Sequence, residues 1–520
     1  MSEGNFSKMM LNTARGSLIL MIGQIITGII STVTIIWMTR VLGPTSYGEY
    51  TLALVPVSIA QIFQDLGMNQ SLMRFSAMYR HEKRKELKLI VWTGLLFSIA
   101  TSIIISSMLF LGAGVIASLF LHRPELEPLV KVAALAVLGN GGLQTTVAAI
   151  FVGYELMSLR SILQILFSVF RAVLGVSLII IGLGSFGAVA SYSAALLISG
   201  SIGFILFLKY VKFEKEQTGR FSLDTLKTLL TYGFPLSLSS IFGGILNQVY
   251  NYLLALYVAT DLIGNYGATI NFGIIISFIT IPISSSLLPF FSKFGRDDPR
   301  LKTIFRISVK YTAMITLPIV LLIITLSSPI SDIIYGASYP FVSLYLSLYL
   351  IVYIFEGLGG ITLSNLISGI GETRVILNTT IISLITGGTL AVLLIPRYQV
   401  IGLFITMILT PRVGWLYQVL WVKKKINITI DWKGTIRLYT SAFVACIATL
   451  AIMNYSKLGN WNAIAIGGSL FSATYILSLL LTGAITKHDL EQLVAITGSL
   501  GPLSKVINII VSILTRFIRE

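Results

Sequence analysis

Runs of about twenty apolar and small residues, separated by short polar stretches, recur along the whole chain. They fall at roughly 16–38, 47–69, 89–112, 129–153, 161–183 and 186–208. Past the basic connector KYVKFEKEQTGRFS (209–222) they resume at roughly 231–257, 263–290, 304–328, 341–369, 375–396 and 399–421. A second basic connector beginning at Lys423 precedes two more, near 435–455 and 461–484. A run of this length is what a helix needs to cross hydrocarbon, whereas barrel strands would alternate at period two. The pattern predicts an all-α polytopic membrane protein with about 14 transmembrane helices.

The short breaks between runs carry an echo. Gly48-Glu49-Tyr50, in the turn LGPTSYGEY (42–50), returns as Gly264-Asn265-Tyr266, 216 residues later. At the same offset FSAMYRHEKR (75–84) meets FSKFGRDDPR (291–300), and Gly153 meets Gly369. Several matches at one offset predict two six-span repeats followed by an extra pair, divided as 1–215, 216–425 and 426–520. An even repeat enters the membrane twice in the same sense, the parallel arrangement in which a site at the interface can face each side in turn. The turn itself reads as a stop at Gly43-Pro44, with Gly48 and Tyr50 letting the second span restart close against the first.

Composition narrows the class. Charged residues make up 11% of the chain against 55% hydrophobic, far below the charged share of about 25% in soluble domains. The net charge of +16 would suggest nucleic acid in a soluble protein. Its distribution gives another reason: with the N-terminus inside, 29 Lys and Arg fall in inner segments, 5 in outer ones and 3 within spans. That asymmetry predicts a cytoplasmic membrane protein with both termini cytoplasmic, and no nucleic-acid partner. A single cysteine, Cys446, and three scattered histidines argue against a disulfide or a metal site. No cofactor is called for. No cleavable signal peptide is evident, and the tail at 503–518 reads as an amphipathic helix on the inner surface.

Polar residues inside the spans are the candidate chemistry. Gln24, Thr27, Ser31 and Thr34 lie on one face of span 1, and Ser237, Ser240, Gly244, Asn247 and Asn251 on one face of span 7. The offset sends Gln24 to Ser240 and Ser31 to Asn247. Matched stripes suit a shared hydrophilic cavity; helix–helix bridging by polar residues is the other reading. Arg171, Arg412 and Glu356 sit near the middles of spans 5, 12 and 10, where each costs about 2.5–3.5 kcal/mol on insertion scales. An arginine's fork suits phosphate oxygens, so Arg171 and Arg412 are candidate substrate ligands, with Arg40 and Lys310 as secondary ones. An ion pair between Glu356 and Arg412 is the competing structural reading. Glu356 and Asp65 are the candidates for ion coupling, although Asp65 could equally cap a helix or meet Arg74. An enzyme is disfavoured: the only acidic pair in an outer loop is Glu125 and Glu127, and no Gly-x4-Gly-Lys loop occurs.

TRVLGPTSYGEYTLA (39–53), QDLGMNQSLMRF (64–75), YGFPLSLSSI (232–241) and GNYGAT (264–269) resemble segments of the Wzx-like polysaccharide flippases of the MATE/MOP superfamily. The resemblance covers essentially the whole chain. It implies two six-helix lobes forming a V, with spans 1, 2, 7 and 8 lining a central cavity. The implied substrates are oligosaccharides on a polyprenyl or dolichyl (di)phosphate, flipped by alternating access. Membrane lipids, and glycosyltransferases or a polymerase of the same pathway, are the implied partners. Multidrug exporters of the superfamily often use an acidic residue in span 1, and sodium-linked lipid II flippases carboxylates in spans 7 or 11. This chain has neither, and a MATE-type cation-coupled multidrug exporter is the alternative.

Overall fold

The computed structural model describes residues 3–81, 86–213, 219, 221–294, 298–455 and 458–485. The amphipathic helix expected at 503–518 lies outside them. Every regular element among the described residues is helical, as hydrocarbon requires of a backbone that has to pair its own N–H and C=O groups. Among the described residues nine stretches are long and apolar enough to span a membrane, or ten if the bent pair Val342–Leu358 and Gly360–Gly369 is one span. The chain is an all-α, multi-pass membrane protein. Length and apolarity alone do not reach the expected count of about 14. Three of the nine stretches, Ile19–Gln64, Met157–Tyr210 and Thr373–Ile426, have 46, 54 and 54 residues. A straight helix of that size would run roughly 70–80 Å, against a hydrocarbon core of about 30 Å. Each holds a non-helical residue near its middle: Gly43 (φ 73°), Gly182 (φ 98°) and Gln399 (φ 53°).

The first half runs α1 (Glu3–Ala53), α2 (Val55–Gln64), α3 (Met68–His81), α4 (Leu87–Leu111), α5 (Glu127–Val137), a π-helical stretch at Leu138–Thr145, α6 (Thr146–Gly153), α7 (Met157–Leu178) and α8 (Gly184–Tyr210). The second runs α9 (Leu223–Tyr257), α10 (Thr260–Ile270), α11 (Gly273–Phe291), α12 (Arg300–Thr325), α13 (Val342–Ile354), a 3-10 turn at Phe355–Leu358, α14 (Gly360–Gly369) and α15 (Thr373–Ile426). α16 (Trp432–Tyr455) and α17 (Asn460–Leu481) follow. Spatially the chain forms two compact units. One takes the described residues up to Ile274 with 338–340 and 384–406; the other takes 275–337, 341–383 and those from Met407 onward.

The glycines that echo in the sequence sit at equivalent contacts. A methyl group on Gly153 of α6 would lie 2.7 Å from Cβ of Ser76 on α3. On Gly369 of α14 it would lie 2.7 Å from Cβ of Phe291 and 3.1 Å from the nitrogen of Ser292. Ser76 and Ser292 are themselves 216 apart, so each unit builds the same helix crossing on a residue without a side chain. Gly48 and Gly264 also make close contacts, each on the other's turn. Within the first unit, a methyl on Gly48 would overlap the carbonyl oxygen of Thr260, and one on Gly264 that of Pro44. Thr260 and Pro44 are also 216 apart, so the two hairpins cross reciprocally, each glycine against the other's turn.

Two further contacts fix the C-terminal end of α9. Arg123 donates from Nη2 to the carbonyl of Val258 at 2.7 Å, and Phe120 stacks on Tyr252 at 4.3 Å. A guanidinium there meets the negative pole of the helix. Burial pulls it below the ordinary arginine value, with Glu125 opposing.

Overpacking a tight crossing costs about 1–3 kcal/mol. Gly153→Leu and Gly369→Leu are expected to lower the thermal midpoint in detergent by several degrees. Gly468→Ala, where nothing lies within 4 Å, should leave the midpoint unchanged or raise it.

Candidate functional site

Helix α7 carries the principal site. Arg160, Gln164, Phe167 and Arg171 recur at spacings of 4, 3 and 4, which aligns them along one face. That face lines a cavity of about 620 Å³ within the first unit, whose wall also includes Thr27, Asn69, Asn140 and Tyr192. At 1.5 Å per residue the two arginines are roughly 16 Å apart along the helix, so the cavity runs from the end of α7 toward its middle. Arg171 donates from Nη2 to the hydroxyl of Tyr50 at 2.7 Å, and its guanidinium lies 5.4 Å from the ring centroid of Tyr192. Its Nε is buried without a partner. Among the described residues no carboxylate pairs with it.

That combination leaves a guanidinium on the cavity wall with no carboxylate paired to it among the described residues. Leaving a buried cation unpaired is strongly destabilising, of order 3–5 kcal/mol where a partner has been removed. Here the cation opens onto a chamber large enough for a ligand. A phosphate-bearing group would complete it, because the guanidinium fork matches phosphate oxygens. In the sequence Arg160 is one of the 29 Lys and Arg assigned to inner segments. Its register with Arg171 on α7 was the signal that could have placed it in the cavity.

The polar stripe of α1 divides. Gln24 is exposed, Thr27 reaches the cavity wall with its hydroxyl buried and unpartnered, and Ser31 meets Ser168 of α7 at 3.2 Å. Thr34 bonds back to the carbonyl of Ile30, the local satisfaction that lets a hydroxyl sit in an apolar helix. On α9, Asn247 is exposed and Asn251 lies 3.5 Å from the amide oxygen of Gln248. The side chain of Ser240 is outside the described residues. Arg40 is exposed at the end of span 1. Lys310 lies on α12 beside Arg306 and Asp431, around a small pocket of about 140 Å³.

Glu356 and Arg412 come close together in the second unit but form no ion pair. Both serve a break in the helix. Arg412 donates to the carbonyl of Val352 at 2.5 Å, and its guanidinium lies 3.6 Å from the ring centroid of Phe355. The Glu356 carboxylate accepts from the backbone N–H of Ile361 at 2.7 Å. Tyr439 donates to the carbonyl of Ile354, and Trp415 to that of Leu358 at 3.2 Å. Four side chains thus satisfy the backbone groups freed by the turn at Phe355–Leu358, which an apolar setting would otherwise penalise. Asp65 likewise accepts from the N–H of Asn69 at the start of α3, at 2.9 Å. Arg74 instead stacks over Tyr232 at 4.3 Å.

The family whose description is "Polysaccharide biosynthesis protein" matches residues 13–295. An uncharacterized membrane protein of Methanocaldococcus jannaschii, MJ1068, is 21% identical over 390 residues, 71% of this chain and 76% of the relative. The lipid II flippase MurJ in an inward closed conformation superposes with a TM-score of 0.74 at 15% identity, over 89% of this chain and 98% of that one. An inward-facing multidrug resistance MATE family transporter of the MOP superfamily gives 0.63 at 18% identity, over 78% and 94%. At such identities the two structures establish a shared fold.

The helix break makes a stability prediction. Trp415→Phe leaves the Leu358 carbonyl without its donor and should cost about 1–3 kcal/mol. Glu356→Ala removes the acceptor for Ile361 and should cost about 1 kcal/mol, with Glu356→Gln milder because it keeps a carbonyl oxygen. Thermal midpoints of purified protein test the order.

Proposed function

The chain belongs to the polysaccharide biosynthesis protein family, and from that premise we propose that it flips oligosaccharides linked to a polyprenyl or dolichyl phosphate or diphosphate. The membrane is the cytoplasmic one, both termini lie inside, and the route is alternating access. The observation that carries the reading is Arg171: a guanidinium without a carboxylate partner on the wall of a 620 Å³ cavity. Arg160 lies further along the same helix face and would meet the phosphate first, handing it toward Arg171. The sugar would be held by neutral hydrogen-bonding groups such as Asn140 and Gln144 on the same wall.

Charge also supplies a direction. With an inside-negative potential, moving one elementary charge across the membrane is worth about 2.3 kcal/mol per 100 mV, so export of an anionic head is downhill. The unpaired arginines would then help draw the emptied cavity back to face inward. A multidrug exporter shares the fold, but a cavity lined by two arginines repels cationic drugs.

The test is reconstitution. A labelled lipid-linked oligosaccharide is placed in both leaflets of proteoliposomes, and its access to an impermeant glycosidase is followed. Protein-dependent access is expected, reduced at least tenfold by Arg171→Ala and less by Arg171→Lys, which keeps the charge without the fork. Unchanged flipping in Arg171→Ala would sink the phosphate role. Absence of flipping by the wild type, together with ethidium efflux, would favour the exporter. Orientation has its own check: in a Cys446→Ala background, a cysteine at 457 should react with an impermeant maleimide from outside, and one at 216 should not.

A further inference from the structure

The guanidinium of Arg171 is held by a residue outside the cavity wall. Its Nη2 donates to the hydroxyl of Tyr50 at 2.7 Å, yet Tyr50 is not among the residues lining the cavity of about 620 Å³ that Arg171 faces. The tyrosine is buried, 5% exposed, and belongs to the part of α1 beyond the non-helical Gly43. Nε of the same guanidinium is buried and has no acceptor. One nitrogen is thus anchored away from the cavity while another N–H is left unused.

Tyr50 also belongs to the place where the two glycine turns cross. Its ring lies 5.6 Å from that of Tyr47, three residues earlier on the same helix face. The Tyr47 hydroxyl accepts from Nδ2 of Asn271, just past α10, at 3.0 Å. Gly48, between the two tyrosines, is the residue that meets Thr260, and Gly264 meets Pro44. A chain of side chains, Arg171, Tyr50, Tyr47 and Asn271, therefore runs from the cavity to the crossing. Packing alone is the bland account of Tyr50, and the second repeat weighs against it. At the offset of 216 Tyr50 becomes Tyr266, which packs on Phe404 at 5.9 Å, and Arg171 becomes Gly387. The ring serves packing in both repeats, but the first alone has an arginine at the paired position.

We propose that Tyr50 is the positioning residue for Arg171: its hydroxyl aims the guanidinium at the cavity while the two turns are crossed and releases it when they part. The reason is entropic. An arginine side chain has several free torsions, and a ligand that has to order them loses affinity. A hydroxyl that accepts from Nη2 orders the fork beforehand and, being neutral, leaves the charge for an anion. Separation of the turns breaks the contacts that hold Tyr47 and Tyr50, and the arginine then loses its anchor. Anion affinity is high with the turns crossed and low with them apart. By reciprocity, a bound anion favours the crossing by the same factor. The proposal rests on the flippase reading for the nature of the anion, and gives that reading a step at which the phosphate is let go.

The experiment is calorimetric titration of inorganic pyrophosphate into the purified full-length protein in nanodiscs, with thermal midpoints confirming that each variant is folded. Arg171→Ala marks the phosphate site and is expected to weaken binding at least tenfold. Tyr50→Phe keeps the ring and its packing on Tyr47, and is expected to weaken binding roughly two- to tenfold, the effect of ordering one long side chain. A role in packing alone would leave the affinity unchanged. Gly264→Ala, whose methyl would overlap the Pro44 carbonyl oxygen, lies off the cavity wall and is expected to weaken binding by a similar factor. The double variant should bind no more weakly than the weaker single one, the non-additivity of two changes on one path. Asn271→Ala takes the place of Gly264→Ala if that protein does not fold. Wild-type affinity in Tyr50→Phe, with Arg171→Ala weakened, overturns the positioning role and leaves the phosphate site standing. Additive losses in the double variant overturn the link to the crossing. No binding by the wild type, or equal binding by Arg171→Ala, removes the phosphate site and this proposal with it.

Discussion

A peptide backbone in hydrocarbon has no water to turn to, so every N–H and C=O that leaves a helical ladder needs a partner from the chain. That constraint organises this protein. Regular helix runs through the apolar spans, and its interruptions are few and placed. Where the second repeat breaks, at Phe355–Leu358, Arg412, Tyr439, Trp415 and Glu356 converge to satisfy the freed groups. Arg412 and Glu356, singled out in the sequence as mid-span charges, thus each hold a backbone group at the broken helix. The first repeat solves the same problem differently. Its fourth span stays hydrogen-bonded by widening into π-helix, and this leaves Asn140 free to line the cavity.

The offset of 216 recurs in some contacts of the structure, but only in part in its chemistry. Gly153 and Gly369 build the same crossing because a crossing tolerates no Cβ in either repeat. Asn140 and Glu356 stand at the same offset and do different work, one on the cavity wall and one as a cap. Helix packing holds shape at the offset; polar function is free to diverge once the shape is held.

What the sequence made legible follows the same division. Periodicity and length are enough to identify helices in lipid, and the Lys and Arg distribution is enough to predict orientation. The glycine echo was legible as a spacing. Its contact was not, because Gly48 packs on Thr260 and Gly264 on Pro44, a crossing between segments more than two hundred residues apart that no local pattern encodes. Arg171 could be singled out because a charge in mid-span is costly wherever it falls. Arg160 could not, because at the end of a span an arginine looks like any loop charge; only the face it shares with Gln164, Phe167 and Arg171 separates the two cases. Asp65 was read as either a cap or a coupling group, and the structure shows why that choice was hard. Its carboxylate caps α3 and lines a recess at once.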